Sequence, residues 1–309
     1  MNNDRDEDVP TIPPALRAEM ARIGPVWARD VGGHIARMTE AFTDLHAQRS
    51  ADDVPCTADI AYGDHPRQRL DIYHPPARYA APDAPALVFV HGGAFVKGDR
   101  NKTSQIYANV LRCFARHGIV GVNVGYRLAD EARYPEASRD VGAAVALVRD
   151  RAQQFGIDPR RIFLMGHSAG GAHAASYAYD RSLHPAEGPG LAGLILVSGR
   201  VRADIEPENP NAAKVVAYYG PSPTLHDAAS AVSHVTADSL PTLIAWAEFE
   251  NPLIDVHSAE LVQVLARLRR RAPPVVWLRG HNHTSSIAHL GTDDRQLEDA
   301  VRDFIARPR

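Results

Sequence analysis

The sequence predicts an α/β fold with a mainly parallel central sheet and helices on both of its faces. Strand and helix patterns alternate from about residue 84 to the end of the 309-residue chain, as a parallel sheet with crossover helices requires. Two runs, 85–93 (PALVFVHGG) and 118–126 (GIVGVNVGY), are almost wholly apolar, which is typical of strands covered on both faces. Hydrophobic residues make up 45% of the chain, enough for a substantial core.

The first 52 residues carry no strand pattern. Residues 1–13 are polar, and we expect them to be disordered or frayed. Across residues 14–52 apolar side chains recur at helical spacing, which predicts a helical appendage that caps the body of the protein. Gly32 and Gly33 interrupt this spacing, and glycine costs about 1 kcal/mol in a helix interior. The sequence is therefore compatible with two helices that meet at this pair and with one continuous helix.

The remainder of the chain, residues 53–309, is predicted to be one α/β domain. Its first two strands, 57–63 and 68–75, alternate apolar and polar side chains as half-buried strands do. Residues 201–239, rich in Pro, Ala, Ser and His, break the later alternation and predict a small lid-like insertion. The remaining runs predict, in chain order, a strand at 85–93, a helix at 104–118, a strand at 118–126, a helix at 136–156, a strand at 161–166, a helix at 169–180, strands at 191–199 and 240–249, a helix at 258–271, a strand at 274–280 and a helix at 295–308.

Composition and charge argue against several functions. The formal net charge of −3 provides no basic surface for nucleic acid or anionic lipid. Two cysteines, Cys56 and Cys113, make no disulfide framework, which favours a reducing compartment. The N-terminus lacks the features of a signal peptide, and no apolar run reaches the roughly 18 residues that span a membrane. We therefore expect a cytoplasmic protein, and whether its final helix supports a homodimer stays open.

The segment LMGHSAGGAH at 164–173 contains the pattern G-x-S-x-G around Ser168. A strand is predicted directly before this pattern and a helix directly after it. In such a turn glycines allow close backbone packing while the serine stands exposed above the sheet. The helix also directs free N–H groups and the positive end of its dipole toward the serine. This context favours Ser168 as a nucleophile over a structural Gly/Ser turn.

A second glycine-rich turn predicts an oxyanion hole. The residues HGGAF at 91–95 directly follow a predicted strand, and glycine leaves the backbone N–H groups unobstructed. Acyl transfer requires such donors where the carbonyl oxygen becomes negative. We expect the N–H groups of Gly92, Gly93 and Ala169 to form the hole. A tight turn that needs glycine for a positive φ is the alternative.

Four motifs occur together in a characteristic order. HGGAF, NVGYRLADEARYPEASRD, GHSAGG and the late GHNH resemble the motifs of α/β-hydrolase fold serine esterases, and the likeness covers residues 54–307. It is to the carboxylesterase and hormone-sensitive-lipase-like branches and to the related feruloyl-esterase and arylformamidase-like proteins. Two positions depart from the lipase-like pattern: Ala94 stands at the fourth position of an HGGG motif, and Asp130 stands where proline is usual.

The resemblance implies a catalytic triad in the chain order serine, acid, histidine. In the arylformamidase-like proteins the second histidine of a pair such as that in GHNH is catalytic. The likeness therefore favours His283 as the general base over the alternative, His281, and the remaining histidine would brace the loop.

The acid follows the predicted strand at 240–249. Related esterases carry an acidic residue here, because a carboxylate holds the imidazole tautomer and stabilises the imidazolium as it forms. An alignment on the residues AEF places Glu250 at this position, whereas an alignment on PL places Asn251 there. Asp255 and Glu248 are the alternative carboxylates.

Together these residues predict a serine hydrolase that cleaves carboxylic esters through an acyl-enzyme intermediate. We expect a small-molecule ester with small or aromatic groups, no cofactor and no metal ion. Phe95 and Tyr126 are predicted to line the substrate pocket, with contributions from the insertion and the N-terminal helices. An amidase of the arylformamidase type and a non-catalytic ligand-binding protein of the same fold stay open.

Overall fold

The computed structural model describes residues 9–307, so residues 1–8 of the predicted frayed segment lie outside it. Within this range the strands are β1 (Cys56–Ala61), β2 (Arg69–Tyr73), β3 (Ala84–Val90), β4 (Val120–Val124), β5 (Ile157–His167), β6 (Gly193–Val197), β7 (Thr242–Phe249) and β8 (Val275–Asn282). The helices are α1 (Pro14–Ile23), α2 (Val31–His46), α3 (Ala108–Ala115), α4 (Glu136–Asp150), α5 (Ala152–Phe155), α6 (Ala169–Tyr179), α7 (Ala212–Tyr219), α8 (Pro223–Ala229), α9 (Ile254–Arg269), α10 (Ser285–Ala288) and α11 (Gln296–Ala306). None of these described helices combines the length and the apolar character that a membrane crossing needs.

The strands form one sheet in the order β1-β2-β4-β3-β5-β6-β7-β8. β2 pairs antiparallel with both β1 and β4, whereas the other pairs are parallel. The predicted mainly parallel sheet is confirmed. Because β3 and β5 are central neighbours, the two glycine-rich turns that follow them meet at the same edge of the sheet.

Side chains that alternate along the strands build a core on each face of the sheet. Val88 and Val90 of β3 belong to one core with residues of α4, α6 and α9. Leu87 and Phe89 belong to the other core with residues of α1, α2, α3 and α11. All four β3 side chains are fully buried, as the apolar run predicts for a strand covered on both faces. The prediction of helices on both faces is confirmed.

Two helices are shorter than predicted. The helix expected at 104–118 begins only at Ala108, because the Thr103 hydroxyl accepts hydrogen bonds from the N–H groups of Gln105 and Ile106 and holds them in a turn. The helix expected at 136–156 is divided into α4 and the single turn of α5. Gly156 ends α5 in the left-handed conformation that a C-terminal glycine permits.

The N-terminal segment folds as α1 and α2, joined by a 3-10 turn at Gly24–Arg29. The break therefore lies ahead of Gly32 and Gly33, which occupy the first turn of α2. Asp30 caps α2 by accepting a hydrogen bond from the N–H of Gly33 at 2.9 Å. A β-carbon on Gly33 would collide with this carboxylate, so glycine serves the cap rather than a junction between helices.

Residues ahead of α1 are held against the loop before α11. The Asp293 N–H donates to the Pro10 carbonyl at 3.0 Å, and the Ile12 N–H donates to the Asp293 carboxylate at 2.8 Å. The Ile12 side chain is buried. The described part of the segment predicted to fray is thus packed on the body.

The predicted insertion at 201–239 contains α7, α8 and a 3-10 turn at Ala231–His234. Val215 and Tyr218 of α7 are buried. The Tyr218 ring stacks on the Phe95 ring with 5.0 Å between centroids. Since Phe95 follows β3, α7 lies over the edge of the sheet where the glycine-rich turns meet.

Candidate active site

Ser168 occupies the turn between β5, which ends at His167, and α6, which begins at Ala169. Its φ of 55° and ψ of −122° lie in a region that residues other than glycine rarely adopt. The Ser168 carbonyl accepts hydrogen bonds from the N–H groups of Gly171 and Arg200, both at 3.0 Å. The surrounding backbone therefore holds the serine in a strained strand-to-helix turn.

The glycines around Ser168 allow backbone segments to approach closely. A β-carbon on Gly166 would lie 2.5 Å from the Gly170 carbonyl oxygen. One on Gly170 would collide with the carbonyl oxygens at the end of β3, and one on Gly171 would lie 2.6 Å from the backbone after β6. Helix α6 consequently sits directly on the strand ends, which brings its N-terminus to the serine.

Replacing Gly170 with alanine is expected to lower the free energy of unfolding by about 1 to 3 kcal/mol. The atoms that the new methyl group would meet are backbone oxygens of a central strand, which cannot rotate away. Denaturant titration measures this loss. Gly32→Ala is the matched control: its β-carbon would meet nothing within 4 Å, and in a helix alanine should stabilise by up to about 1 kcal/mol. Equal stability of the two variants would contradict the close approach at Gly170.

A continuous chain of hydrogen bonds joins Ser168, His283 and Glu250. The Ser168 hydroxyl oxygen lies 3.0 Å from Nε2 of His283, and Nδ1 of His283 lies 2.6 Å from the Glu250 carboxylate. His283 directly follows β8, and its backbone N–H donates to the Phe249 carbonyl at 3.1 Å. The side chains of His283 and Glu250 are 4% and 2% exposed. The structure thus brings together the three residues predicted as a triad.

The Glu250 carboxylate is held by donors from three sides besides His283. It accepts hydrogen bonds from the N–H of Ala247 at 2.9 Å, from the N–H of Asn251 at 3.2 Å and from the Ser198 hydroxyl. An ionised carboxylate has several acceptor positions, and these donors occupy those that His283 leaves. They fix the oxygen that faces the imidazole.

The other candidates for the acid and the base are engaged elsewhere. Glu248 accepts a hydrogen bond at 2.8 Å from a backbone N–H of β8, and the exposed Asp255 accepts one from the next residue of α9. Nε2 of His281 lies 3.2 Å from the Asp294 carboxylate. Of the three carboxylates considered from the sequence, only Glu250 is hydrogen-bonded to the histidine that faces Ser168.

The turn after β3 passes directly beside Ser168. A β-carbon on Gly92 would lie 3.0 Å from Cβ of Ser168, and one on Gly93, whose φ is 155°, would collide with the Lys97 carbonyl. Ala169 is the first residue of α6, so its N–H has no acceptor within the helix. The three residues predicted for the oxyanion hole lie around the serine, and their function as donors stays a prediction.

Buried histidines beneath these turns are neutral. Burial lowers the pKa of His91 to about 4 and that of His173 to about 3. Burial, and then the neighbouring His283, holds the pKa of His167 well below its usual value. His91 donates from Nδ1 to the Gly92 carbonyl at 2.8 Å, so it braces the turn.

Ser168 and His283 open into a cavity of about 360 Å³ at this edge of the sheet. Both contributors predicted from their positions, the N-terminal helices and the insertion, supply parts of its wall. The other residues that line it belong to the turn after β3, the loop that leads to α3, the end of β5, and the loops after β7 and β8. The full lining is Val31, Gly32, Ile35, Gly92, Gly93, Ala94, Lys97, Gly98, Lys102, Tyr107, His167, Ser168, Pro210, Asn211, Lys214, Asn251, His283 and Thr284.

Phe95 and Tyr126 lie in the core and not in this wall, which corrects the prediction that they line the pocket. Phe95 is 1% exposed and stacks on Tyr218. Tyr126 is fully buried, and its hydroxyl donates to the His91 carbonyl at 2.8 Å. Their positions along the chain indicated proximity to the motifs, but not on which side of each turn the ring would lie.

Several polar residues of the wall were not predicted from the sequence. Asn251 accepts a hydrogen bond from the buried Trp27 indole at 2.8 Å, which ties the N-terminal segment to the loop that carries Glu250. Lys97, Lys102 and Lys214 also line the cavity. One feature of the sequence could have drawn attention to these three residues: they are the only lysines in the chain.

Two groups of side chains outside the cavity have donor sets that could hold a metal ion. They are Cys113, His117 and Glu298, and His281, His289 and Asp294, with ligand atoms within 4.8 Å of one another in each group. In each group a histidine is hydrogen-bonded to a carboxylate, at 2.8 Å and 3.2 Å respectively. These contacts account for the groups as hydrogen-bonded pairs of the fold.

The sequence is similar to proteins named as ester hydrolases. The BD-FAE family profile matches residues 70–226, slightly more than half of the chain. Esterase LipC of Mycobacterium tuberculosis is 35% identical over 162 residues, which are 52% of this chain and 36% of that protein. An ethyl acetate hydrolase of Pseudomonas putida is 32% identical over 130 residues, which are 41% of this chain and 40% of that protein. The chain thus spans two fifths or less of the length of these relatives.

Solved structures of esterases share the fold over nearly the whole chain. An inhibited esterase B of Lactobacillus rhamnosis matches with a TM-score of 0.73 and 21% identity over 94% of this chain and 96% of its own. A hyperthermophilic esterase of Pyrobaculum calidifontis matches with a TM-score of 0.69 and 21% identity over 96% and 97%. At these identities the likeness shows the fold, which is the α/β-hydrolase fold. With the family match, this establishes that the chain belongs to the BD-FAE family of α/β-hydrolase esterases.

Proposed function

We propose that the chain hydrolyses carboxylic esters as a serine esterase, with Ser168 as nucleophile, His283 as general base and Glu250 as the acid partner. The observation that carries this proposal is the hydrogen-bond chain in which the two ring nitrogens of His283 face the hydroxyl and the carboxylate. Because an ionised carboxylate only accepts hydrogen bonds, Glu250 keeps the ring proton on Nδ1. Nε2 is then free to accept the proton of the serine.

Acylation begins when Nε2 of His283 takes the Ser168 proton as Oγ attacks the ester carbonyl carbon. Negative charge develops on the carbonyl oxygen, and the N–H groups of Gly92, Gly93 and Ala169 donate hydrogen bonds to it. When the tetrahedral intermediate collapses, its bond to the leaving oxygen breaks and His283 gives its proton to the alcohol. Water then attacks the acyl-enzyme with His283 again as base, which releases the acid and restores Ser168.

The names of the relatives and the size of the cavity support this proposal. The similar proteins include an esterase, an ethyl acetate hydrolase and a carboxylic ester hydrolase. A cavity of about 360 Å³ suits small or aromatic esters rather than long acyl chains. No observation favours an amidase or a non-catalytic binding protein.

The free thiols of Cys56 and Cys113 support the proposed cytoplasmic location.

The proposal is tested by turnover of phenyl acetate together with labelling by a phosphonate ester. We expect the chain to hydrolyse phenyl acetate and to lose this activity in proportion to the fraction of protein that is labelled. Mass spectrometry should locate one phosphonyl adduct, on the peptide that contains Ser168. Attachment to a different serine would overturn the nucleophile, and a chain inert toward every activated ester would favour the binding protein.

A further inference from the structure

The three lysines of the chain all lie in the wall of the cavity that holds Ser168. The sequence contains 31 arginines but only Lys97, Lys102 and Lys214 as lysines. The cavity is lined by 18 residues of the 309, and all three lysines are among them. Elsewhere the chain uses arginine for its basic side chains. The lysines of this chain are therefore concentrated at one site and are not spread over the sequence.

The lysines converge on the cavity from two segments. Lys97 belongs to the turn after β3, where its N–H donates to the Gly93 carbonyl at 3.1 Å. Lys102 follows in the same loop, with Nζ 5.8 Å from the centre of the Tyr107 ring. Lys214 is on α7, and its Nζ donates to the Asn211 side-chain oxygen at 2.8 Å. Burial, and after it the charge of Lys97, lowers the pKa of both Lys102 and Lys214.

The described residues leave these charges uncompensated. No Asp or Glu is among the described residues that line the cavity, and none of the three lysines forms an ion pair with a described carboxylate. Glu250 lies behind His283 and is bound by its own donors. Burial lowers the pKa of Lys102 to about 8, as expected for an ammonium group without a counter-ion. A cavity with unpaired positive charge beside a nucleophile is complementary to an anion.

We propose that the cavity binds esters that carry a carboxylate, and that Lys97, Lys102 and Lys214 form the subsite for this group. The inference rests on the proposed esterase function and names its substrate class. Ammonium groups on flexible stems act as point charges that accept an anion from many directions, whereas arginine requires a planar, bidentate partner. Half-esters of short dicarboxylic acids and acyl esters of hydroxybenzoic acids are small molecules of this class.

Matched ester pairs test the subsite. One pair is 4-carboxyphenyl acetate and its neutral isostere 4-carbamoylphenyl acetate; the other is monoethyl glutarate and the corresponding ethyl ester amide. We expect kcat/KM of the anionic member to exceed that of the neutral member by about tenfold or more in at least one pair. Added salt should reduce this ratio, because mobile ions screen the lysines. Replacing each lysine with glutamine should lower the ratio, and the triple variant should bring it to about 1.

Arg160→Gln is the matched control for the loss of one positive charge. The Arg160 side chain is 87% exposed and lies near the start of β5, at the end of the strand away from Ser168, so the ratio should not change. A wild-type ratio near 1 in both pairs, or a ratio that survives in the triple variant, would overturn the subsite. The salt dependence is measured on the wild-type protein, so this part of the test does not depend on whether the lysine variants fold. Neutral esters report the esterase function by themselves: turnover of neutral esters without an anionic preference refutes only the subsite, and no turnover of any ester refutes both proposals.

Discussion

The Ser168→Ala variant is expected to lose at least about 10⁴-fold in kcat/KM for phenyl acetate. The reason is that Oγ forms the bond to the acyl group, and without it His283 can activate only water. The remaining activity would come from the oxyanion-hole donors and from binding alone. Steady-state kinetics of the purified variant, with a correction for spontaneous hydrolysis, measures the loss.

Two further variants separate this chemical loss from loss of folding. Alanine keeps the strained φ of 55° at this position, so the thermal midpoint of Ser168→Ala should stay within a few degrees of that of the wild type. Ser168→Gly relieves the strain and should be more stable by about 1 kcal/mol while equally inactive. Ser182→Ala changes an exposed serine and should keep full activity. A Ser168→Ala variant with more than a tenth of the wild-type rate would refute the assignment.

The Glu250→Gln variant is expected to lower kcat by about 10³- to 10⁴-fold. The amide carries no charge to stabilise the imidazolium that forms as Ser168 reacts. Its NH₂ group would also face one or more of the donors that now surround the carboxylate, which turns a hydrogen bond into a repulsive contact. The imidazole then loses both its tautomer and its orientation. Pre-steady-state kinetics with an activated ester should place the loss in acylation.

The two carboxylates that compete with Glu250 in the sequence are its matched controls. Glu248→Gln and Asp255→Asn change residues that are hydrogen-bonded to backbone N–H groups and not to His283. Both variants should keep kcat within about twofold of the wild type, because substitutions away from such contacts have small effects. If either variant lost most of its kcat while Glu250→Gln stayed active, the residue changed in that variant would be the acid of the triad.

The parts of the fold and the site that follow from local chemistry could be predicted from the sequence. Apolar runs identified the buried strands, and the glycines around Ser168 identified a turn in which backbones touch. His283 followed from a motif and from its place after the last strand. For the acid, the sequence offered three carboxylates within eight residues. Choosing among them requires the path of the loop after β7, which depends on tertiary contacts such as the hydrogen bonds from Ser198 to Glu250 and from Trp27 to Asn251.

The errors came from features that depend on the direction of a side chain. Phe95 and Tyr126 are adjacent to the right motifs, yet their rings turn into the core, where aromatic surface gains most from burial. Helix propensity treats Gly32 and Gly33 as an interruption of a helix, whereas Gly33 accommodates the cap formed by Asp30. The local sequence does not show which distant or neighbouring group a side chain will contact, and that contact decides where the side chain lies.

The confinement of lysine to one cavity has a consequence for the chemistry of the whole molecule. Among side chains, only Lys97, Lys102 and Lys214 offer a primary amine, so each side-chain amine that an amine-directed reagent modifies belongs to the wall of the cavity. Burial leaves Lys102 with a pKa of about 8, and its amine is therefore nucleophilic at mildly alkaline pH. Succinimidyl dyes, glutaraldehyde and amine-coupled supports would therefore attach at the wall of the cavity that holds Ser168. Attachment through the exposed thiol of Cys56 leaves the cavity lining unmodified.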